Sequence, residues 1–248
     1  MIKVGTGRRK IPRDTGGLPV FYSTNFDGSA YLSRGAGLTG AADTTTGLHF
    51  LVFRVLGGAG TIRILTQTTG PQLTPQIHLA LDNLVTVSFK SALGLTVFSA
   101  TNSTAITDTN WHSLLIAIDA AQSTKCKVYF DGVDETTSAS VTNAAIDYTV
   151  PDWFIGANIV GAQTANVDTA VYYLSTEFLD ITTEANLRKF VTARGGIADL
   201  GPNGERPTGT RPIVFQRNPF SSFEKNLGTG GDFTVTGTLT AGATRPPV

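Results

Sequence analysis

Apolar and polar residues trade places in short runs along most of this chain, and turn residues break each run. Leu84–Phe89 alternates, and so does Lys125–Phe130, where Lys125, Lys127 and Tyr129 share one face and Cys126, Val128 and Phe130 the other. This period of two predicts strands with one buried face. Further strand-like runs lie at Leu48–Leu56, Thr61–Leu65, Gln76–Leu81, Leu95–Phe98, Trp153–Ile155 and Ala170–Leu174. Trp111–Asp119 differs: it is apolar on nearly both faces, which predicts a central strand covered on both sides. Asp27-Gly28 stands between Phe21-Tyr22-Ser23 and Ala30-Tyr31-Leu32 and reads as a hairpin turn.

One helix is predicted. Thr182 or Thr183 can cap it, Glu184 suits its positive end, and Leu187, Phe190 and Val191 form a stripe at helical spacing before Gly195-Gly196 stops it. The helix is short and is expected to pack on one edge of a sandwich. Residues 196–219 carry Pro202, Pro207, Pro212 and Pro219, which exclude a central strand and predict a long excursion with a short strand at Ile213-Val214-Phe215. The run 232–240 alternates, with Phe233, Val235, Gly237 and Leu239 on one side, and predicts a closing strand at the chain end. The expected organisation is an arm at 1–20 followed by one β-sandwich over 21–248.

Composition narrows the chemistry. Only 15% of the 248 residues are charged, against about 25% in average soluble domains. Thr, Ser, Asn, Gln and Gly must therefore supply most of the polar surface. Net charge is zero, so the whole chain has no electrostatic bias towards nucleic acid or an anionic membrane. The apolar run at Leu114–Ile118 is far shorter than the roughly 20 residues needed to span a bilayer. The single cysteine, Cys126, permits no intrachain disulfide and is expected as a small buried hydrophobe. The basic residues Lys3, Arg8, Arg9, Lys10 and Arg13 face only Asp14 in the arm. They read either as a solvated tail or as a tether onto another protein; without aromatic neighbours they are a weak signal for nucleic acid.

The order of motifs resembles a known superfamily. Phe26-Asp27-Gly28-Ser29-Ala30-Tyr31-Leu32 near the start, Trp111-His112 followed by Tyr129-Phe130-Asp131-Gly132, then Phe154-Ile155-Gly156-Ala157 and Val171-Tyr172-Tyr173 are similar to laminin-G-like and concanavalin-A-like jelly rolls. The resemblance covers roughly residues 21–191 and implies an all-β, two-sheet antiparallel jelly-roll sandwich with one short helix and an extended N-terminal arm. Asn226–Leu239 resembles the tail of such domains in bacteriophage structural proteins. That likeness implies a non-enzymatic virion part (a capsid decoration, fibre or tail-associated module), with other virion proteins or copies of itself as partners. The opening Met1-Ile2-Lys3-Val4-Gly5 has no secretory h-region, in keeping with synthesis in a host cytoplasm and residence in the virion. The alternative is a free carbohydrate-binding or adhesion module, and a host surface glycan suits either.

The candidate chemistry follows from that fold. Glucanases of this superfamily place carboxylates at alternate positions of one strand, about 5–5.5 Å apart in a retaining enzyme. No strand here offers that pattern, so no catalytic residue is expected. The histidines His49, His78 and His112 fit no metal spacing and are expected as partly buried strand residues. Laminin-G-like domains often bind calcium through loop oxygens, and Asp152, Asn158, Asn166 and Asp168 lie in suitable loops, where turn formation is the competing role. Sugar binding needs exposed aromatic faces near amides and hydroxyls. Trp153, Tyr172 and Tyr173 are the candidates for it, although Trp111 and Trp153 suit the core as well.

Overall fold

The computed structural model describes residues 21–57, 63–68, 75–158, 164–243 and 246–247. The arm, with Lys3, Arg8, Arg9, Lys10 and Arg13, lies outside the described residues. The strands follow in order: β1 (Thr24–Asp27), β2 (Tyr31–Arg34), β3 (Thr46–Val55), β4 (Arg63–Thr68), β5 (Gln76–Leu79), β6 (Val85–Lys90), β7 (Thr96–Thr101) and β8 (Trp111–Asp119). After them come β9 (Lys127–Phe130), β10 (Val133–Asp134), β11 (Thr137–Val141), β12 (Trp153–Ile155) and β13 (Asn166–Ser175). The helix α1 (Glu184–Leu187) precedes β14 (Val214–Gln216), β15 (Thr234–Thr236) and β16 (Thr240–Ala241).

These strands form two antiparallel sheets. The first has the order β10-β9-β8-β3-β13-β1-β16, with β14 also on β13; the second has β11-β7-β6-β5-β4-β12-β2-β15. The fold is an all-β jelly-roll sandwich. Among the described residues no helix is long and apolar enough to cross a membrane.

Strand periodicity explains the core. On β8, Leu114, Ile116 and Ile118 point between the sheets, where they join Leu51, Phe53, Val87, Phe89 and Val128. The alternate positions Leu115 and Ala117 point outward into a second apolar cluster with Leu48, Phe50, Leu187, Phe190 and Val191. β8 is thus covered on both faces, as its unbroken apolar run requires. The helix is a single turn that ends at Leu187, and Phe190 and Val191 follow it in a turn and a bridge to Ile197; together the three cover apolar positions of β3 and β8 on the outer face of the first sheet and not on an edge. Each fully buried side chain of this size contributes roughly 1.5–3 kcal/mol.

The Asp27-Gly28 turn is not a hairpin. β1 pairs with β13 and β16 in the first sheet, whereas β2 pairs with β12 and β15 in the second. The turn carries the chain between sheets, and Asp27 Oδ1 holds it by accepting from the backbone N–H groups of Ser29 and Ala30 at 2.8 and 3.1 Å. The closing run also divides. β15 edges the second sheet and β16 the first, with Gly237 between them at φ 78°, a conformation that suits glycine. Val214–Gln216 provides the short strand predicted within the Pro-rich excursion.

A bulge in β13 decides where its aromatics go. The register against β3 slips between Thr169 and Val171, and the extra residue reverses the side-chain alternation. Tyr172 consequently enters the core between the sheets, and Tyr173 the outer cluster.

Candidate functional site

The outer faces of the two sheets differ. That of the first lies under the helix-bearing cluster. That of the second is polar and part-exposed, and strand alternation sets its chemistry. On β6, Val85, Val87 and Phe89 are buried while Thr86, Ser88 and Lys90 lie outward and are part-exposed. The register is continuous across the sheet on the buried side: Val235 opposes Leu32, Leu32 opposes Ile155, Ile155 opposes Thr66, Thr66 opposes Ile77, Ile77 opposes Val87, and Val87 opposes Ala100. One residue along each strand lies a matching outward row. Thr234 pairs with Ser33 and Ser33 with Phe154 at one end; Gln76 pairs with Ser88, Ser88 with Ser99 and Ser99 with Ser140 at the other. Neighbouring strands lie about 4.8 Å apart, so Thr234 and Ser33 at one end, and Gln76, Ser88, Ser99 and Ser140 at the other, present hydroxyls and an amide at that spacing.

Two aromatic rings stand at one end of this row. Phe154 lies between the buried Trp153 and Ile155, so alternation sends it outward. Tyr31 likewise precedes the buried Leu32. Their centroids are 6.2 Å apart with planes inclined at 43°, and both rings are part-exposed. Thr236 opposes Tyr31 on β15. The adjoining rim is rigid: Arg34 donates from NH1 to the carbonyl of Asp232 at 2.8 Å, and Asp232 meets Lys225 at 3.1 Å. Behind Arg34 lies Gly231, where a Cβ would run into the guanidinium. On the outward side of β5, burial lowers the pKa of His78, which favours the neutral ring.

The aromatic candidates taken from the sequence lie elsewhere. Trp153 and Tyr172 are each 1% exposed and Tyr173 is 0% exposed. No face of these rings is open to a sugar; the part-exposed aromatic rings on the second sheet are Tyr31 and Phe154. The alternation in Trp153-Phe154-Ile155 held the clue, since only one of the three can oppose the other two. Burial raises the pKa of the Tyr172 phenol and pushes that of Tyr173 up to about 12, so both stay protonated.

Of the four oxygen-bearing residues considered for calcium, Asp168 and Asn166 are hydrogen-bonded within the fold. Asp168 is buried; its Oδ2 lies 2.9 Å from NH2 of Arg54, and its Oδ1 accepts from Nδ2 of Asn25 at 2.9 Å. Asn166 donates from Nδ2 to the carbonyl of Leu56 at 2.8 Å. Asp152 and Asn158 stand at opposite ends of β12, and Asp152 abuts Gly35. Among the described residues no three His, Cys, Asp or Glu side chains gather as a metal-ligand set. Asp108 and Asp131 converge, but on the imidazole of His112. The Asn226–Leu239 run, whose likeness suggested a virion part, has local structural duties: Asn226 Oδ1 accepts from the Phe215 N–H at 2.8 Å, and Phe233 enters the core.

No protein-family model and no curated protein matches this sequence. Solved structures do. One is a Bacteroides ovatus protein for which carbohydrate binding has been inferred, at TM-score 0.63 and 11% identity, covering 92% of this chain. This chain spans 62% of that structure. Another is the heptameric SAP-like pentraxin of Limulus polyphemus, at TM-score 0.53 and 10% identity, covering 90% of this chain and 94% of the pentraxin. Domains LG4-5 of the mouse laminin α1 chain match at TM-score 0.46 and 11% identity, covering 67% of this chain and 46% of theirs. At such identities the likeness is one of fold: this chain shares its jelly-roll sandwich with the Bacteroides ovatus protein and the pentraxin.

Proposed function

We propose that this chain is a carbohydrate-binding module that holds a neutral glycan against the open face of its second sheet. The observation that carries this reading is the part-exposed Tyr31–Phe154 pair at the end of a row of hydroxyls and amides. Sugars offer apolar C–H faces that stack on aromatic rings and hydroxyl rims that exchange hydrogen bonds with Ser, Thr and Gln. The outward positions Thr234, Ser33, Gln76, Ser88, Ser99 and Ser140 carry no charge, which suits an uncharged ligand. The fold shared with a Bacteroides ovatus protein described in terms of carbohydrate binding supports the same reading, although fold alone does not assign function.

A glycan array followed by calorimetry tests it. Binding of a neutral glycan is expected, and Tyr31→Ala and Phe154→Ala should each weaken it by about tenfold, the equivalent of roughly 1.4 kcal/mol. The reading is overturned if no glycan binds, or if a Tyr31→Ala/Phe154→Ala double variant with unchanged melting temperature binds as the wild type does.

A further inference from the structure

His112 stands near the start of β8 with a carboxylate on each ring nitrogen. Nδ1 lies 2.8 Å from Oδ2 of Asp131, and Nε2 lies 3.0 Å from Oδ1 of Asp108. The ring stacks on Phe130 at a centroid distance of 5.0 Å and an angle of 21°, and Phe53 lies 6.5 Å away. On its other side a groove is lined by Trp111, Gly195, Gly196, Ile197 and Pro247, none of which ionises. The charged groups that face the imidazole are thus Asp131, from the turn after β9, and Asp108, from the loop before β8.

A neutral imidazole has one N–H and one lone pair. It can donate to one of these carboxylates only by turning its lone pair on the other. The doubly protonated ring donates to both. The two carboxylates are not equally anchored. Asp131 is tied to β8 twice over, its Oδ1 accepting from the Ser113 N–H at 2.7 Å and its own N–H donating to the Ser113 carbonyl at 2.9 Å. Asp108 belongs to an exposed loop and otherwise meets only Asn110, whose N–H and Nδ2 both donate to it at 2.8 Å.

The earlier part of that loop is held independently. Asn102 Oδ1 accepts from the Val85 N–H at 2.7 Å, Glu135 accepts from the N–H groups of Ser103 and Thr104, and Ile106 is buried with its N–H on the Asn83 carbonyl. The segment 107–110 is exposed, and Asp108 joins it to His112.

We propose that Asp108, His112 and Asp131 form a protonation latch, in which doubly protonated His112 clamps loop 107–110 to the Asp131 turn and loss of one proton releases it. Burial of the ring works against the charged form. The hydrogen bonds and charges of Asp131, and then of Asp108, outweigh it and raise the pKa above its ordinary value. The clamp is therefore complete below the ordinary histidine range, near 6.5, and opens as pH rises through the higher folded-state value.

Nitrogen-15 NMR of the full chain between pH 5 and 9, with amide-exchange protection factors over the same range, tests the latch. Expected are two protonated ring nitrogens on His112 below the ordinary histidine range, a midpoint above that of a free histidine, and a loss of Asn110 amide protection across that midpoint. Asp108→Asn, an exposed change that removes the charge and leaves an acceptor oxygen for the Asn110 N–H, should shift the midpoint down and make Asn110 protection independent of the His112 titration. A wild-type midpoint at or below the free value overturns the proposal, as does wild-type Asn110 protection that ignores the His112 titration.

Discussion

Nε2 of His49 lies 3.3 Å from the hydroxyl of Tyr148, and both side chains are fully buried between the sheets. Phe89 packs against the same imidazole at 4.8 Å, and Nδ1 of His49 has no hydrogen-bond partner. Burial pushes the pKa of His49 down to about 3. The pair is thus a neutral contact of ring and phenol, and β3 carries a titratable group that the folded chain keeps uncharged.

Acid should therefore loosen the fold at this site. The unfolded chain takes up a proton on His49 near pH 6.5, whereas the folded chain resists until about pH 3. Its contribution to stability is complete above 6.5 and falls by roughly 1.4 kcal/mol for each unit of pH below it. Urea unfolding at pH 7 and pH 4 should show a larger loss in the wild type than in His49→Leu. Equal losses would show that His49 is protonated in the native state. The His112 latch has the opposite sign and acts above pH 6.5, so the two histidines are separable by pH.

The Arg54–Asp168 pair should behave as a structural ion pair. Asp168→Ala leaves a guanidinium that is 13% exposed without the carboxylate it faces across β13. Destabilisation by about 3 kcal/mol is expected, and Arg54→Leu with Asp168→Leu together should cost less than the sum of the two single changes. Because this carboxylate is committed to Arg54 and Asn25, Asp168→Asn should leave the response of the melting temperature to calcium unchanged. A calcium-dependent rise that disappears in Asp168→Asn would return Asp168 to metal binding.

Phe190 should prove to be a keystone of the outer layer. It is fully buried, 5.2 Å from Phe50 and 5.4 Å from Tyr173 by ring centroids. Phe190→Ala should cost about 3–5 kcal/mol, measured by denaturant unfolding. A change below 1 kcal/mol would mean that the layer collapses to fill the space, or contributes little to the stability of the sandwich.

Much of the architecture was legible from local pattern. The unbroken run at Trp111–Asp119 required a strand buried on both faces, and the alternation of Lys125–Phe130 placed Cys126 inside, where it is 3% exposed. The Leu187, Phe190 and Val191 stripe announced an apolar contact. These readings succeed because side-chain direction repeats with a period fixed by backbone geometry, which each segment carries within itself. What each segment meets is set from far along the chain. The Asp27-Gly28 turn has hairpin chemistry, yet its flanking strands enter different sheets because their partners are residues 166–169 and 153–155. A single bulge against β3 turned Tyr172 inward and Tyr173 to the outer layer. Tyr31 and Phe154 are separated by about half the chain, and only the β2–β12 register brings their rings together. The sequence by itself thus determined which residues face inward within a regular strand. Only the tertiary structure decided which sheet each strand joined and which outward side chains became neighbours, because strand pairing is a contest among distant segments that no local period can settle.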